Sequence, residues 1–266
     1  MKRLVLGLSL LFLALVGVAW CTSMVVGSDV VADVDPSRAN LGPGPDAWLG
    51  TDHLGRDVAW RLVTGSEAFV GPGLVAAGVA LCLGLPGGAL AGYLGGVTAG
   101  VVRYLHAIIG ALPRFVLVLL ACTIYGSEPM VLAIAAGVAF APGLGQAVET
   151  RIAALRSREF VLATRAHGVS ALRTLAWHLL WVNCRTLVAR QVLYLLSFVL
   201  VLETTLSYIG GFGIEEPQPS WGNMLAFEFG VTDGNPWAWL APAAAIWLTV
   251  AATLSVASSL EEPGRG

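Results

Sequence analysis

Long runs without a charged residue decide what this chain can fold into. Residues 4–28 carry no charge behind Lys2 and Arg3, and residues 68–102 carry none. A third apolar segment runs from about residue 102 to 125 with Arg114 inside it, and a fourth covers 129–148. A fifth, 187–209, holds Arg190 and Glu203, and a sixth covers 237–260. The hydrocarbon core of a bilayer takes roughly 20 apolar residues per helix, so each segment is long enough to span. Composition agrees: 56% of the 266 residues are hydrophobic and 12% charged, about half the charge of a soluble domain. A soluble enzyme, a disordered chain and a disulfide scaffold are excluded. A formal net charge of -2 leaves no basic footprint for nucleic acid. The expected fold class is all-α, a polytopic membrane protein with six transmembrane helices.

The first segment has two readings, because Lys-Arg followed by an apolar run also opens a signal peptide. Its length, and Trp20 directly before Cys21, favour a retained helix over a cleaved leader or a lipoprotein site. Cys21, Cys82, Cys122 and Cys184 show no CxxC pairing and read as small residues of packed helices. The histidines at 53, 106, 167 and 178 lack metal-ligand spacing. Lys2 is the sole lysine. A phosphate-cradling loop of the Walker type needs a lysine after its glycines, so no such loop can be written here. Any ATP that the protein's work consumes must be bound by another chain.

Orientation follows from arginine. Residues 149–190 carry seven arginines against two glutamates; residues 27–68 carry seven acids against three arginines, and residues 210–236 four acids and no base. Positive loops stay in the cytoplasm. Six spans with both termini inside put 149–190 in the cytoplasm and both acidic segments outside. The glycines and proline at 84, 86, 87, 88, 92, 95 and 96 would break a soluble helix, but in a membrane small residues let helices approach closely.

Several short motifs carry local chemistry whatever the function. In Gly50-Thr51-Asp52-His53-Leu54-Gly55-Arg56-Asp57 the Thr and Asp side chains suit turns and helix caps. Residues 156–178 form a basic amphipathic stretch with a turn at Gly168; by itself this reads as a helix lying on anionic lipid. Trp221 and Trp237 read as interfacial anchors.

Taken in order, these motifs resemble one family. Gly50–Asp57 resembles the GTDxLGRD segment of inner-membrane permeases of dipeptide, oligopeptide and nickel ABC importers. Ala91-Gly92-Tyr93-Leu94-Gly95-Gly96 resembles the AGYxGG that ends their next span. Leu206-Ser207-Tyr208-Ile209-Gly210 and Pro217-Gln218-Pro219-Ser220-Trp221-Gly222-Asn223-Met224-Leu225 are similar to their LSFLG and PxPSWGxML. The order and topological placement match from about residue 50 to the last span, and within the family the chain resembles the C-type subunit. Leu162-Ala163-Thr164-Arg165-Ala166-His167-Gly168 is similar to the EAA coupling loop, with Leu162 where the family has glutamate. Trp181 follows His178-Leu179-Leu180 where family members have proline.

The resemblance implies a type I ABC importer permease fold and a non-catalytic subunit. It divides the chain into a first helix (1–28), a periplasmic segment (29–67), a five-helix core (68–260) with its coupling loop at about 149–186, and a tail (261–266). The implied partners are a second related permease, two ATPase subunits that bind ATP and magnesium, a substrate-binding protein and membrane lipid. No cofactor is implied in this chain itself. The implied coupling residues are Arg158, Glu159, Ala163, Arg165, Gly168 and Arg173. Those implied for binding-protein docking or a periplasmic gate are Asp52, Arg56, Asp57, Ser220 and Trp221. Arg114 and Glu203, the charges placed deepest, are either a buried ion pair that fixes packing or part of the translocation path. The implied cargo is a di- or oligopeptide, with nickel or another small solute as the alternative. A self-sufficient secondary transporter or channel would need coupling carboxylates within spans, and Glu203 is thin support. A membrane-embedded enzyme finds no HExxH, no GxSxG and no paired intramembrane acids.

Overall fold

A computed structural model describes residues 2–26, 34–228 and 234–260, without the side chains of Lys2, Arg165 and Glu228. Among these residues the chain is helix and turn, the extended pairings being two isolated bridges, Gly44 with Ala47 and Thr51 with Asp57. Helix α1 (Lys2–Val26) is apolar on every side. It packs against α11 (Trp237–Ser259) and α2 (Val58–Thr64), yet Leu4, Leu8, Leu11, Leu15 and Val18 stay more than half exposed. A helix apolar all round is stable only where lipid or another protein covers it.

The central pair is α3 (Glu67–Leu94) against α6 (Pro129–Leu155), the most extensive helix contact in the bundle. Glycine makes it possible. Gly84, Gly88 and Gly92 recur every fourth residue on α3 and face the backbone carbonyls of Ala141, Gly145 and Glu149 on α6. A side chain at any of the three would drive the helices apart. Around this seam Ala76, Ala80, Ala136, Val148 and Ile152 bury almost completely, with Leu179, Leu195 and Leu206 closing the core from the following segments.

Helix α4 (Gly96–Gly110) starts after Gly95, whose φ of 70° turns the chain back on itself. It stops before Pro113, and α5 (Arg114–Tyr125) resumes at a 70° bend. The continuous third span expected from composition is therefore broken. Pro113 has no N–H to give, its ring disfavours helical geometry at the residue before it, and its own ψ of 133° takes the chain out of the helix. Five helical stretches are long and apolar enough to cross a membrane, and α4 with α5 makes a sixth if the bent pair is one span.

The fifth span is also longer than its apolar run. Ser170 accepts a hydrogen bond from the Arg173 N–H (3.3 Å) and starts α8 (Ala171–Arg173). This continues through a π-helical stretch, Thr174–Trp181, into α9 (Val182–Ile209), giving 39 helical residues in all. Asn183 donates to the His178 carbonyl at 2.6 Å, satisfying one acceptor that the wider π turn displaces. Two short helices, α7 (Glu159–Ala166) and α10 (Trp221–Glu228), stand at opposite ends of the bundle. One end gathers the acidic segments, 34–57 and 210–228; the other gathers the arginine-rich segment between α6 and α9.

Candidate functional site

At the acidic end, two segments more than 150 residues apart close into one ionic cluster. The 34–57 segment is folded by its own polar side chains. Thr51 accepts from the Leu41 N–H (2.9 Å) and donates to the Arg38 carbonyl. Asp52 Oδ1 accepts from the Leu54 and Arg56 N–H groups at 3.0 and 2.8 Å, and Gly50 and Gly55 supply the left-handed turns at φ 74° and 81°. Gly55 has no room for a side chain, since a Cβ would meet the Asp35 carbonyl.

This fold presents Arg56 and, one turn into α2, Arg61. Arg56 Nε lies 2.6 Å from Asp52 Oδ2, while its two terminal nitrogens donate to Glu216 Oε2 and Oε1 at 2.9 and 2.7 Å. Arg61 reaches the same two acids, at 3.2 Å to Glu216 and 3.4 Å to Asp52. Arg56, Arg61 and Asp52 are almost fully buried, and the Glu216 side chain is 20% exposed. Burial pulls the Arg56 pKa down, but the Glu216 and Asp52 carboxylates more than offset it and hold the pKa above its ordinary value. Two cations and two anions close a neutral clamp that needs no counter-charge from solvent.

The second half of the clamp is equally built. Ser220 and Asn223 cap α10 reciprocally, each side chain accepting the other's N–H at 3.1 Å. Asn223 also donates to the carbonyls of Gln218 and Ile214 at 2.8 and 3.2 Å, drawing in the loop that carries Glu216. Trp221 donates from Nε1 to the Leu62 carbonyl (2.8 Å) and packs on Phe69 with ring centres 4.8 Å apart. It is 3% exposed. Its reading as an interfacial anchor is thereby corrected; it is a core residue joining α10 to α2, and Trp237 is the exposed one of the pair. Asn235 donates to the Leu49 carbonyl at 2.6 Å, a further tie between the acidic segments.

These contacts bear on the docking or gate residues as a group. Asp52, Arg56, Ser220 and Trp221 are buried and committed to one another's segments. Asp57 caps α2, accepting from the Ala59 and Trp60 N–H groups at 2.8 and 3.1 Å. A partner would touch the surface these side chains shape rather than the side chains themselves. Arg61 and Glu216, which complete the clamp, were not singled out from sequence. The available signal was charge: an acidic loop without a base, 210–236, has to find its cations elsewhere.

Arg114, exposed at the start of α5, and the buried Glu203 form no ion pair with each other among the described residues. The Arg114 guanidinium lies over the Phe140 ring at 4.3 Å, a cation–π contact on α6. Glu203 is buried and accepts from the Ser207 hydroxyl at 2.6 Å, while Ser207 Oγ takes the Ile214 N–H at 2.8 Å. Glu203 thus helps anchor the loop that carries Glu216. Toward the arginine-rich end of α6, Glu149 pairs with the exposed Arg103 of α4 at 2.8 Å.

At the arginine-rich end, α7 ends in a Schellman turn. Val169 N–H reaches the Thr164 carbonyl and His167 N–H the Ala163 carbonyl, both at 3.0 Å, with Gly168 at φ 74°. Val161 points into the core, whereas Arg158, Glu159, Leu162, Ala163 and Arg173 are exposed. The Arg165 side chain lies outside the described residues. Among the described residues no cluster of His, Cys, Asp and Glu is arranged to hold a metal ion.

A many-helix membrane bundle, with a folded ionic cap at one end and an exposed, glycine-terminated helix at the other, is a transport component. Residues 84–262 match the family described as binding-protein-dependent transport system inner membrane component, and the chain belongs to that family. It is a multi-pass membrane protein. It is 29% identical to the dipeptide transport system permease protein DppC of Alkalihalophilus pseudofirmus over 247 residues, 90% of this chain and 80% of that one. A putative peptide permease protein of Brucella suis is 30% identical over 86% of this chain and 76% of its own length. The oligopeptide transport system permease protein OppC of Bacillus subtilis is 27% identical over 85% and 75%.

Proposed function

We propose that this chain is one of two permease subunits of an ABC importer for di- or oligopeptides. Its relatives in peptide systems cover most of both chains, which supports the cargo class. In this reading the arginine-rich end faces the cytoplasm, both termini lie inside, and a substrate-binding protein docks over the acidic cap. Two ATPase subunits bind ATP and magnesium and grip α7 and the Gly168 turn; the chain itself does no bond chemistry.

The observation that carries the coupling role is the continuity of the helix from Ala171 to Ile209. At 1.5 Å per residue it is a rod of about 58 Å. One end begins three residues after Gly168; the other holds Glu203 and Ser207, which grip the clamp loop through Ile214. A displacement that the Gly168 turn passes to Ala171 would therefore reach the acidic cap along one continuous helix. The two arrangements of the rod would be selected by nucleotide state, a shift between two conformations.

The test is reconstitution of the full complex in vesicles. Uptake of labelled peptide should require ATP, both permeases and the loaded binding protein. Uptake that continues without ATP would overturn the reading. So would saturable nucleotide binding to this chain alone, whose only lysine is Lys2.

A further inference from the structure

One cavity is used by neither the ion pairs of the clamp nor the coupling helix. It holds about 370 Å³ at the acidic end of the bundle, between the end of α1, the first turns of α3 and α6, and the clamp loop. Small-ligand sites run from about 300 to 1,000 Å³, so its size suits the end of a peptide rather than a whole long one. The floor is apolar: Ala68 and Ala133 are buried, and Pro72 and Val75 stand beside them. Met24 and Met130, two of the chain's four methionines, line it and are exposed. Thioether side chains repack around apolar groups of different shape.

Beside that apolar wall stand acceptors with nothing to accept. Glu67, in the first turn of α3, lines the cavity and is exposed, and its carboxylate forms no ion pair or hydrogen bond among the described residues. Pro72 lies within α3 and has no N–H, so the Ala68 carbonyl one turn back lacks its helical donor. Gln218 adds an exposed carboxamide from the clamp loop, and no lining side chain is cationic. A carboxylate and a freed carbonyl without a cation call for a ligand that brings charge and donors. An ammonium group has three N–H bonds to give. The cavity is also tied to the rod. Ile214 forms part of its wall; Ser207 Oγ accepts the Ile214 N–H at 2.8 Å, and Asn223 donates to the Ile214 and Gln218 carbonyls at 3.2 and 2.8 Å. A shift of α9 at Ser207 would pull directly on this wall.

We propose that this cavity is a subsite for the amino end of the transported peptide. Glu67 and the Ala68 carbonyl take the terminal ammonium, and the first side chain lies among Met24, Val75 and Met130. The subsite rests on the reading of the chain as a peptide importer subunit, and it names the end of the cargo that the permease itself holds.

The probe is an apolar tripeptide whose first residue carries a diazirine, with its amino end free or acetylated. It is irradiated with the assembled transporter in nanodiscs, the binding protein left out, and the labelled segments are identified by mass spectrometry. The free peptide should label the segments that hold Met24 and Met130. The acetylated peptide should label them about three- to fivefold less, the size of an ion pair that water still reaches. Glu67→Gln should bring the free peptide down to the acetylated level. Asp46→Asn, which removes an exposed acid outside the cavity, should leave the difference intact. Equal labelling by the two peptides in the parent protein would overturn the subsite and leave a plain apolar groove. Labelling that misses both segments would overturn it too. So would loss of labelling when the unloaded binding protein docks, which would give the cavity to a side chain of that protein. Uptake is read separately, with the complete complex in vesicles. If ATP-driven uptake of peptide is absent, the importer reading falls and the subsite with it. If uptake proceeds and Glu67→Gln leaves the labelling unchanged, the subsite alone falls.

Discussion

Neutralising Glu216 isolates what the clamp contributes. In Glu216→Gln the shape is retained, but two guanidinium groups, each under 3% exposed, are left with Asp52 alone. The amide NH2 also turns a donor toward the Arg56 donors that now meet an acceptor at 2.7 or 2.9 Å. Breaking a buried charge pair from one side costs about 3–5 kcal/mol. The Glu216 side chain is 20% exposed, so water repays part of that, and about 3 kcal/mol is the expected loss. The clamp joins two surface segments and leaves the α3–α6 seam untouched, so the loss should appear as local opening. Amide hydrogen exchange is the assay, followed at Leu54 and Arg56, whose N–H groups bond Asp52, and at Ile214, whose N–H bonds Ser207. Their protection should fall by somewhat more than a hundredfold, since about 1.4 kcal/mol is a factor of ten. Amides of α3 and α6 should be unchanged. Adding Arg61→Met restores neutrality and should recover part of the loss. Protection unchanged to within a few-fold at all three amides would refute the argument. A uniform loss that reaches α3 and α6 would do so too, because the clamp would then belong to the global core.

Gly88→Ala should lower the thermal midpoint in detergent by an amount equal to about 1–3 kcal/mol, because a Cβ there meets the Gly145 carbonyl and Cα of α6; Gly78→Ala, with open space around it, should not. Gly168→Val should weaken capture of the ATPase subunits in a pull-down, since a β-branched residue at φ 74° costs about 1–2 kcal/mol, while Gly168→Asn keeps most of it. Nothing lies within 4 Å of a Cβ at Gly168, so the effect is one of backbone rather than of space. Arg114→Gln and Glu203→Gln should destabilise additively, to within about 0.5 kcal/mol in a double-mutant cycle, because their contacts are with Phe140 and Ser207. Rescue of one by the other would mean that they are paired.

The spans are legible in sequence because burial in lipid is a property of composition over a whole window, and the charge-free runs report it directly. Boundaries are less so, since they depend on single residues. Pro113 breaks a run that is apolar on both sides, and hydropathy alone passes over it. The reverse holds at residues 171–186, where Arg173, His178 and Arg185 suggest a loop. The helix continues there because Leu175, Leu179 and Cys184 keep one face in the core. Turn chemistry in the GTDHLGRD segment is local, so Thr51, Asp52, Asp57 and Gly55 can be assigned from their neighbours. Arg61 and Glu216 cannot, because their pairing closes across 155 residues and leaves no periodic trace.

The acidic cap and the α7 end differ in what each leaves at the surface, and the difference has a physical reason. At the acidic cap the motif side chains are buried, so their chemistry is spent on one geometry of two loops. At the other end Leu162 is 54% exposed on a helix whose Val161 is buried, leaving an apolar side chain free at the surface. A buried ionic lattice is stiff and neutral, suited to transmit a displacement. An exposed leucine between Arg158 and the Gly168 turn gains stability only when another protein covers it. Leu162→Glu restores the charge that the resembled loop carries at this position and keeps the helix, because glutamate is a good helix former. If the ATPase surface reads this position through apolar burial, Leu162→Glu should weaken assembly by about 0.8–1.6 kcal/mol, the burial of the half of one leucine still exposed. Assembly at undiminished strength in a pull-down would instead mean that the docking is polar, carried by Arg158, Glu159 and Arg173.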